Sequence, residues 1–195
     1  KDYRTRPIPL VIEELESLRR ERVFLFLVDD NLVGNRPYAK TLFHEMTPFQ
    51  FKWASHAPLR FANDEELLEL ASRSGCVALF VGFESLNPEN LSLMEKPFNL
   101  HLSPAEAVKR FHDHGIGILA SFILGYDHDT PDTFKRILDF CHQTKIDFGL
   151  FPILTPYPGT PLRERLIREG RILTDQWDLY DMEHVTFIPK RMSPE

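Results

Sequence analysis

The sequence predicts an α/β fold built on a parallel sheet of about five strands, either barrel-like or doubly wound. Two observations support this prediction. Strand-like apolar runs alternate with amphipathic stretches along the whole chain. The repeat from one strand to the next is about 30 residues, which is the size of one βα unit with a right-handed crossover.

Apolar runs mark the predicted strands. The first run, VFLFLV at residues 23–28, contains six apolar residues in succession. Such a run is typical of a strand that is buried on both faces, so we expect it in the centre of the sheet. The other predicted strands are FKWASH (51–56), CVALFVGF (76–83), GILASFILG (117–125) and FGLFPILT (148–155).

Helix start and stop signals lie between these runs. The sequence predicts helices over residues 9–22, 62–75, 103–115 and 130–143. Ser103 and Thr130 each stand as an N-cap before a proline at the first helical position. A glycine after the last apolar position ends two of these helices, at Gly75 and Gly115.

The composition predicts one acidic domain over residues 1–195. With 195 residues, 43% of them hydrophobic, the chain can bury one full core, and no shift in composition marks a second. The formal net charge of -6 opposes binding to a nucleic-acid backbone, which needs clustered Lys and Arg. No run approaches the length of a membrane span, and the segment KDYRTRPIPL (1–10) lacks the apolar core of a signal peptide, so we expect a cytoplasmic protein.

Both ends of the sequence are typical of a fragment. The chain opens on a helix pattern without the strand that should precede it. It closes on RMSPE, where Ser193 and Pro194 indicate a helix start with no helix behind them. We expect a piece of a longer polypeptide, truncated at both ends, and the alternative is a natural chain with disordered ends.

Two cysteines, Cys76 and Cys141, lie far apart in the sequence and in apolar surroundings. A zinc or iron–sulfur site normally takes three or four ligands, so two lone cysteines do not supply one. We expect both to be small buried hydrophobic side chains, and we expect no metal site in the chain.

Polar or glycine-rich residues follow every predicted strand. In parallel α/β sheets ligands gather at the C-terminal ends of the strands, so we expect these residues to share a cleft. The candidate binding residues are Asp29, Asp30, Asn31, Ser55, His56, Glu84, Ser85, Gly125, Thr155, Pro156, Tyr157, Pro158 and Gly159.

Some of these residues also have a purely structural interpretation. Asp29 and Asp30 are best tolerated where a ligand or water meets them, but they could equally cap the turn into the next helix. In the segment 155–160 the prolines remove amide donors and leave carbonyls as free acceptors, which suits a planar heterocycle. The alternative is a loop made rigid for stability alone. Glu84 is the sharper functional candidate, because a carboxylate directly after a buried strand is costly unless it is paired.

Motifs at successive strand ends resemble a known family. VDDN (28–31), GFES (82–85), FILGYDHDT (122–130) and PYPGTPL (156–162), in this order, resemble the radical S-adenosylmethionine (radical SAM) superfamily. YRTRPIPLVIEEL (3–15) and GFESLNPENL (82–91) resemble the branch that often carries a cobalamin-binding domain upstream. The resemblance covers essentially the whole chain. It implies a piece of a partial, TIM-like (β/α)6 barrel.

The resemblance also implies cofactors and a reaction. The family holds a [4Fe-4S] cluster and cleaves SAM reductively to methionine and a 5′-deoxyadenosyl radical, while many cobalamin-linked members use SAM for methylation. It implies an external electron donor and a small-molecule or lipid-like substrate that the sequence does not name. The cluster motif Cys-x3-Cys-x2-Cys is absent here. We therefore expect the cluster ligands upstream of Lys1, rather than a degenerate homologue, and we expect this fragment alone to be inactive.

The resemblance implies a role for most of the candidate residues. It puts Asp29 and Asp30 near the methionine amino group, although the commoner Gly-Gly-Glu form is absent. Glu84 and Ser85 match a position that addresses the ribose or the methionine end, where side-chain oxygens pair with hydroxyls. The adenine motif falls on Ile123 and Gly125, with YDHDT in place of the usual Pro-Gly-Glu-Thr, and residues 155–160 match the loop beside adenine.

Two other classes of function remain open from the residues. One is a barrel hydrolase that uses carboxylates such as Asp30 and Glu84 as an acid/base pair. The other is a non-catalytic α/β scaffold that binds a partner.

Overall fold

The computed structural model describes residues 4–21, 23–94 and 103–195. The strands form one five-stranded parallel sheet whose order follows the chain: β1 (Phe24–Leu27), β2 (Lys52–Pro58), β3 (Cys76–Glu84), β4 (Gly117–Phe122) and β5 (Phe148–Leu150). The α-helices are α1 (Ile8–Ser17), α2 (Arg36–Met46), α3 (Glu65–Arg73), α4 (Pro88–Leu93), α5 (Pro104–Asp113), α6 (Pro131–Thr144) and α7 (Pro161–Arg168). The predicted α/β fold with about five parallel strands is confirmed.

Short polar side chains start the helices where the sequence predicts them. Asp64 accepts a hydrogen bond from the Leu67 amide at the start of α3, and Ser103 caps α5 in the same way. Each cap satisfies a backbone donor that the first turn leaves open, and contributes about 1 kcal/mol. Helix α2 was not predicted, although Asn35 caps it and a proline follows at its start.

Strand β1 differs from its prediction. It lies at the edge of the sheet and pairs with β2 alone within the described part of the chain. Its side chains alternate between two faces, and Phe24 and Phe26 are 58% and 50% exposed. The prediction of a central strand buried on both faces is therefore wrong for the chain as described.

The chain divides into two compact units, which are described one at a time. The first comprises Lys1–Gly82, His101–Ala120 and Ile146–Phe148. The second comprises Phe83–Leu100, Ser121–Lys145 and Gly149–Glu195. None of the helices within the described ranges is long and apolar enough to cross a membrane.

The core of the first unit centres on Trp53. Its ring stacks on Phe43 with 5.2 Å between centroids, and its Nε1 donates to the Ser74 carbonyl at 3.1 Å. Both aromatic side chains are fully buried. Burial of a side chain of this size contributes about 2 to 3 kcal/mol, and the indole donor is satisfied at the same time.

The core of the second unit is a cluster of phenylalanines. The Phe83 and Phe122 rings lie 5.1 Å apart, and Phe140 lies 6.1 Å from each of them. Cys141, next to Phe140 on α6, is only partly buried, so the prediction of full burial is wrong for this cysteine and right for Cys76. Adjacent helical residues face different directions, and only one of this pair faces the cluster.

Candidate functional site

Asp29 and Asp30 follow β1 after Val28, and a tight turn begins at Asp30. Both are exposed, and within the described residues neither carboxylate has a hydrogen bond or an ion pair. The cap of α2 is Asn35 instead, whose Oδ1 accepts from the Tyr38 amide at 3.2 Å. The interpretation of the two aspartates as helix caps is therefore wrong, and both remain available to a ligand.

Asp29 and Asn31 line a cavity of about 440 Å³ in the first unit. The cavity lies against α1, β1 and α2, and Tyr38 also lines it. Burial raises the pKa of Tyr38, and the negative charge of Asp29 raises it further. Asp30 is not among the lining residues, so the two adjacent carboxylates have different surroundings.

Ser55 and His56 lie within strand β2, which continues to Pro58, so the prediction that they stand at the end of the strand is wrong. Their side chains point to opposite faces, as neighbours in a strand must. Ser55 is fully buried, and its Oγ donates to the Leu27 carbonyl at 2.7 Å, which fixes β2 to β1. His56 lies between two rings, 5.4 Å from Phe26 and 4.9 Å from Phe80. Its Nδ1 is buried without a hydrogen-bond partner among the described residues. His56 is therefore the better candidate of the two for ligand contact.

Glu84 ends strand β3 in an unusual backbone conformation. Its φ is 63°, in the left-handed region that favours glycine. The conformation is held by neighbouring backbone, because the Glu84 carbonyl accepts from the Ile123 amide at 2.9 Å. A non-glycine residue in this region costs about 1 to 3 kcal/mol and persists only where its surroundings fix it.

Ser85 belongs to the framework of the same loop. It is buried, and its Oγ accepts from the Asn87 amide at 3.0 Å and from the Asn90 side chain at 3.3 Å. Asn87 in turn caps α4. The Ser85 hydroxyl therefore stabilises the turn between Glu84 and α4, independently of any ligand.

The loop after β4 carries Gly125, which has a φ of 105°. Its amide and that of Tyr126 both donate to Asp129 Oδ2, each at 3.0 Å. The pKa of the Tyr126 hydroxyl is raised by burial and then by the charges of Glu84 and Asp129. Asp129 was not predicted as a site residue, and the acidic residue before Thr130 in FILGYDHDT was the available signal.

Hydrogen bonds restrain the first part of the segment from Thr155 to Gly159. Arg163 Nη1 donates to the Pro156 carbonyl at 3.3 Å, and the Thr155 carbonyl accepts from the Tyr157 amide at 3.0 Å. The expectation that the carbonyls of this segment are free acceptors is therefore wrong for Thr155 and Pro156. Tyr157, Pro158 and Gly159 are exposed, so the outer part of the loop is open to a ligand.

The residues of this chain do not fit an iron–sulfur cluster. Burial raises the pKa of the Cys76 thiol to about 12, which disfavours the thiolate that a metal requires. Within residues 4–21, 23–94 and 103–195 there is no group of three or more His, Cys, Asp or Glu side chains that could hold a metal ion.

Solved structures define the class of fold. TsrM, a radical S-adenosylmethionine methyltransferase from Kitasatospora setae solved with tryptophan and a SAM analogue, superposes with a TM-score of 0.70 at 20% identity, over 85% of this chain and 34% of that one. SuiB of Streptococcus suis bound to S-adenosylmethionine gives a TM-score of 0.55 at 14% identity, over 82% of this chain and 36% of that one. The fold is that of radical SAM enzymes.

Sequence relatives agree with the fold. The bacteriochlorophyllide d C-12(1)-methyltransferase of Chlorobaculum tepidum is 36% identical over 199 residues, which is 100% of this chain and 43% of that protein. The hopanoid C-2 methylase of Rhodopseudomonas palustris is 36% identical over 77% of this chain and 30% of its own length. An anaerobic magnesium-protoporphyrin IX monomethyl ester cyclase of Cereibacter sphaeroides is 26% identical over the whole chain and 32% of its own length.

These similarities and the motifs together identify the family. The chain belongs to the radical SAM superfamily, as the sequence resemblance predicts. No protein-family model matches it. The chain spans less than half the length of each of the relatives named here.

Proposed function

We propose that the protein containing this chain is a radical SAM enzyme that cleaves SAM reductively and uses the product to modify or methylate an organic substrate. The observation that best supports this proposal is the 36% identity over the whole chain with the bacteriochlorophyllide d C-12(1)-methyltransferase. Glu84 lies at the carboxyl end of β3, where ligands gather in parallel α/β sheets. The similarity to methyltransferases and a cyclase favours this proposal over the hydrolase and scaffold interpretations.

The residues of the chain would bind the cofactor rather than transform it. The ammonium of SAM requires an anionic partner, and Asp29 and Asp30 are carboxylates without a partner among the described residues. Glu84 would accept hydrogen bonds from the ribose hydroxyls or meet the methionine end. The backbone at Ile123 and Gly125 and the exposed part of the loop 155–160 would lie beside adenine. With a [4Fe-4S] cluster supplied by other residues, one electron from an external donor would break the bond between the SAM sulfur and C5′, giving methionine and the 5′-deoxyadenosyl radical.

The cluster ligands must come from residues other than those described. In this proposal the Cys-x3-Cys-x2-Cys motif precedes Lys1 in a longer protein, where a cobalamin-binding domain is also proposed. The length of the relatives supports this arrangement, since each is more than twice as long as the part matched here. Without that motif the chain alone is expected to be inactive.

The relatives also narrow the proposed substrate. Their names describe methylation or cyclisation of a bacteriochlorophyllide, a hopanoid and a porphyrin ester, all of which are largely apolar ring systems. We therefore propose a small-molecule or lipid-like substrate, with an external reductant as the other partner.

The first experiment measures iron, acid-labile sulfide and SAM products in the full-length protein after anaerobic purification. The expected result is about four irons and four sulfides per chain for one [4Fe-4S] cluster, with formation of 5′-deoxyadenosine or S-adenosylhomocysteine. Asp29→Asn, Asp30→Asn and Glu84→Gln are expected to retain the iron and weaken SAM binding.

Asp113→Asn is the matched control for these three variants. Asp113 forms an exposed ion pair with Lys109 on α5, so its loss should leave SAM binding unchanged. Absence of iron after reconstitution, or SAM affinity that is equal in all four variants, would contradict the proposal.

A further inference from the structure

Asp129 is a buried carboxylate with only neutral donors. It is 1% exposed, and no Lys or Arg within the described residues forms an ion pair with it. Oδ2 accepts the Gly125 and Tyr126 amides, each at 3.0 Å, and Oδ1 accepts Asn90 Nδ2 at 2.8 Å. Burial raises its pKa and these hydrogen bonds oppose that rise. An apolar residue would fill this position at lower cost, so its presence requires a reason.

Asn90 is fully buried, and all polar atoms of its side chain form hydrogen bonds. Its Nδ2 donates both to Asp129 Oδ1 and, at 3.3 Å, to Ser85 Oγ. Its Oδ1 accepts the His128 amide at 3.2 Å. Both amide hydrogens and the oxygen are thus used, and a fully satisfied buried network of this kind fixes one arrangement of its members.

The network joins two loops that follow neighbouring strands. Through Ser85 it reaches the residue after Glu84, and through Asp129 it reaches the amide of Gly125. The same two loops are also joined by a backbone hydrogen bond, from the Ile123 amide to the Glu84 carbonyl at 2.9 Å. The left-handed backbone of Glu84 and the positive φ of Gly125 are therefore fixed by the same pair of side chains.

We propose that Asp129 and Asn90 are positioning residues for SAM, because they hold the Glu84–Ser85 and Gly125–Tyr126 segments in one fixed arrangement. The inference rests on the proposed function. Neither residue needs to touch SAM. Their effect is to remove alternative conformations of the two loops before SAM arrives, so that binding does not have to order them.

An exchange of the two side chains tests this role. Asp129→Asn alone places two amide NH2 groups, both donors, opposite each other. Asn90→Asp alone places two carboxylates, both acceptors, opposite each other. In the double variant the amide at 129 donates to the carboxylate at 90 and its oxygen still accepts the Gly125 amide. The carboxylate at 90 still accepts from His128, and the Ser85 hydroxyl donates instead of accepting. The double variant therefore restores the hydrogen bonds of the network although both side chains differ from wild type.

The measurement is the SAM dissociation constant of the anaerobic full-length protein, together with iron content and thermal midpoint. Each single variant is expected to bind SAM about tenfold more weakly at unchanged iron content, and the double variant to bind within about threefold of wild type. Asp139→Asn is the control. Asp139 forms an exposed ion pair with Lys135 on α6, so its loss should change neither the SAM dissociation constant nor the iron content.

Two results would overturn the inference. One is wild-type SAM affinity in folded Asp129→Asn. The other is a double variant that recovers its thermal midpoint but not its affinity, which would indicate direct contact with SAM. If Asp129→Asn does not accumulate, Asp129→Glu displaces the carboxylate by one methylene and is interpreted in the same two ways. Failure of the wild-type protein to bind SAM would instead refute the proposed function.

Discussion

Asp127 and Arg171 form a buried ion pair, with 3.0 Å between Oδ1 and Nη1. Arg165 and Lys190 contact the other oxygen of the same carboxylate. Burial alone would raise the pKa of Asp127, but hydrogen bonds from these three cations outweigh it and hold the pKa at about 2. Asp129, two residues later in the same loop, has neutral donors and a raised pKa. Charged partners thus reverse the effect of burial within one turn of chain.

Asp127→Asn is expected to lower the free energy of unfolding by about 2 kcal/mol at pH 7, because it removes the carboxylate charge that three cations share and leaves Glu169 as the counterion of Arg171. Chemical denaturation with urea measures the change. Asp139→Asn is the control, since its exposed pair with Lys135 should contribute about 0.5 kcal/mol or less.

The stabilisation that Asp127 provides is expected to depend on pH. The pKa of Asp127 is lower in the folded state than its usual value of 3.8, so its stabilisation is complete above about pH 5. It is lost as the pH falls towards about 2, where the folded carboxylate takes up its proton. The difference between wild type and Asp127→Asn should therefore shrink between pH 5 and pH 2. A difference that stays constant over this range would contradict the assignment.

The conformation of Glu84 predicts an inverted order of two substitutions. Glycine at a strand position is normally about 0.5 to 1 kcal/mol less stable than alanine. At a φ of 63° alanine keeps the strain and glycine does not, so Glu84→Gly should be more stable than Glu84→Ala by about 1 kcal/mol. Both variants lose the carboxylate, so both should bind SAM weakly.

Lys52 provides the matched comparison for this prediction. It is an exposed residue of β2 and is not among the residues with positive φ. Lys52→Gly should be less stable than Lys52→Ala, which is the opposite order. If the two pairs of variants show the same order, the left-handed backbone does not contribute strain at Glu84.

Local patterns account for most of the fold that could be predicted. Ser103 and Asp64 start helices because their oxygens satisfy open amides, and that chemistry is visible in a short stretch of sequence. The apolar run at residues 23–28 was misleading, because a pattern shows which residues avoid water but not which neighbour covers them. Phe24 and Phe26 share one face of β1, and their burial depends on what packs against that face, which no local pattern contains.

The candidate site was only partly predictable. The ends of β1 and β3 lie within one residue of the predicted ends, and with them Asp29, Asp30 and Glu84, whereas β5 ends at Leu150, before its predicted end at residue 155. The sequence could not show that Ser55 bonds to a neighbouring strand or that Asn90 reaches Asp129, 39 residues away. Such partners are set by strand register and loop geometry, which arise only when the chain folds.

Removal of both cysteines should not affect iron content. Burial raises the pKa of each thiol, which opposes formation of a metal-binding thiolate. The double variant Cys76→Ala and Cys141→Ala of the full-length protein is therefore expected to retain about four irons per chain, the content of one [4Fe-4S] cluster. Loss of iron in a variant whose circular dichroism matches wild type would show that these thiols take part in the cluster.

Arg163 is expected to control the mobility of the loop 155–160. Its guanidinium donates to Tyr180 Oη at 2.6 Å, to Asp175 Oδ1 at 2.6 Å and to the Pro156 carbonyl at 3.3 Å. Arg163→Lys offers one ammonium in place of this planar fork, so at least one of the three contacts must be lost.

The effect of Arg163→Lys is measured by hydrogen exchange at the amides of Tyr157 and Thr160, which donate within the loop at 3.0 and 3.3 Å. Exchange should accelerate about fivefold, as expected from loss of one hydrogen bond of about 1 kcal/mol. Arg168→Lys, at an exposed position at the end of α7, should leave these amides unchanged. Equal exchange in both variants would mean that the prolines alone hold the loop, because the guanidinium would then add no restraint that they do not already impose.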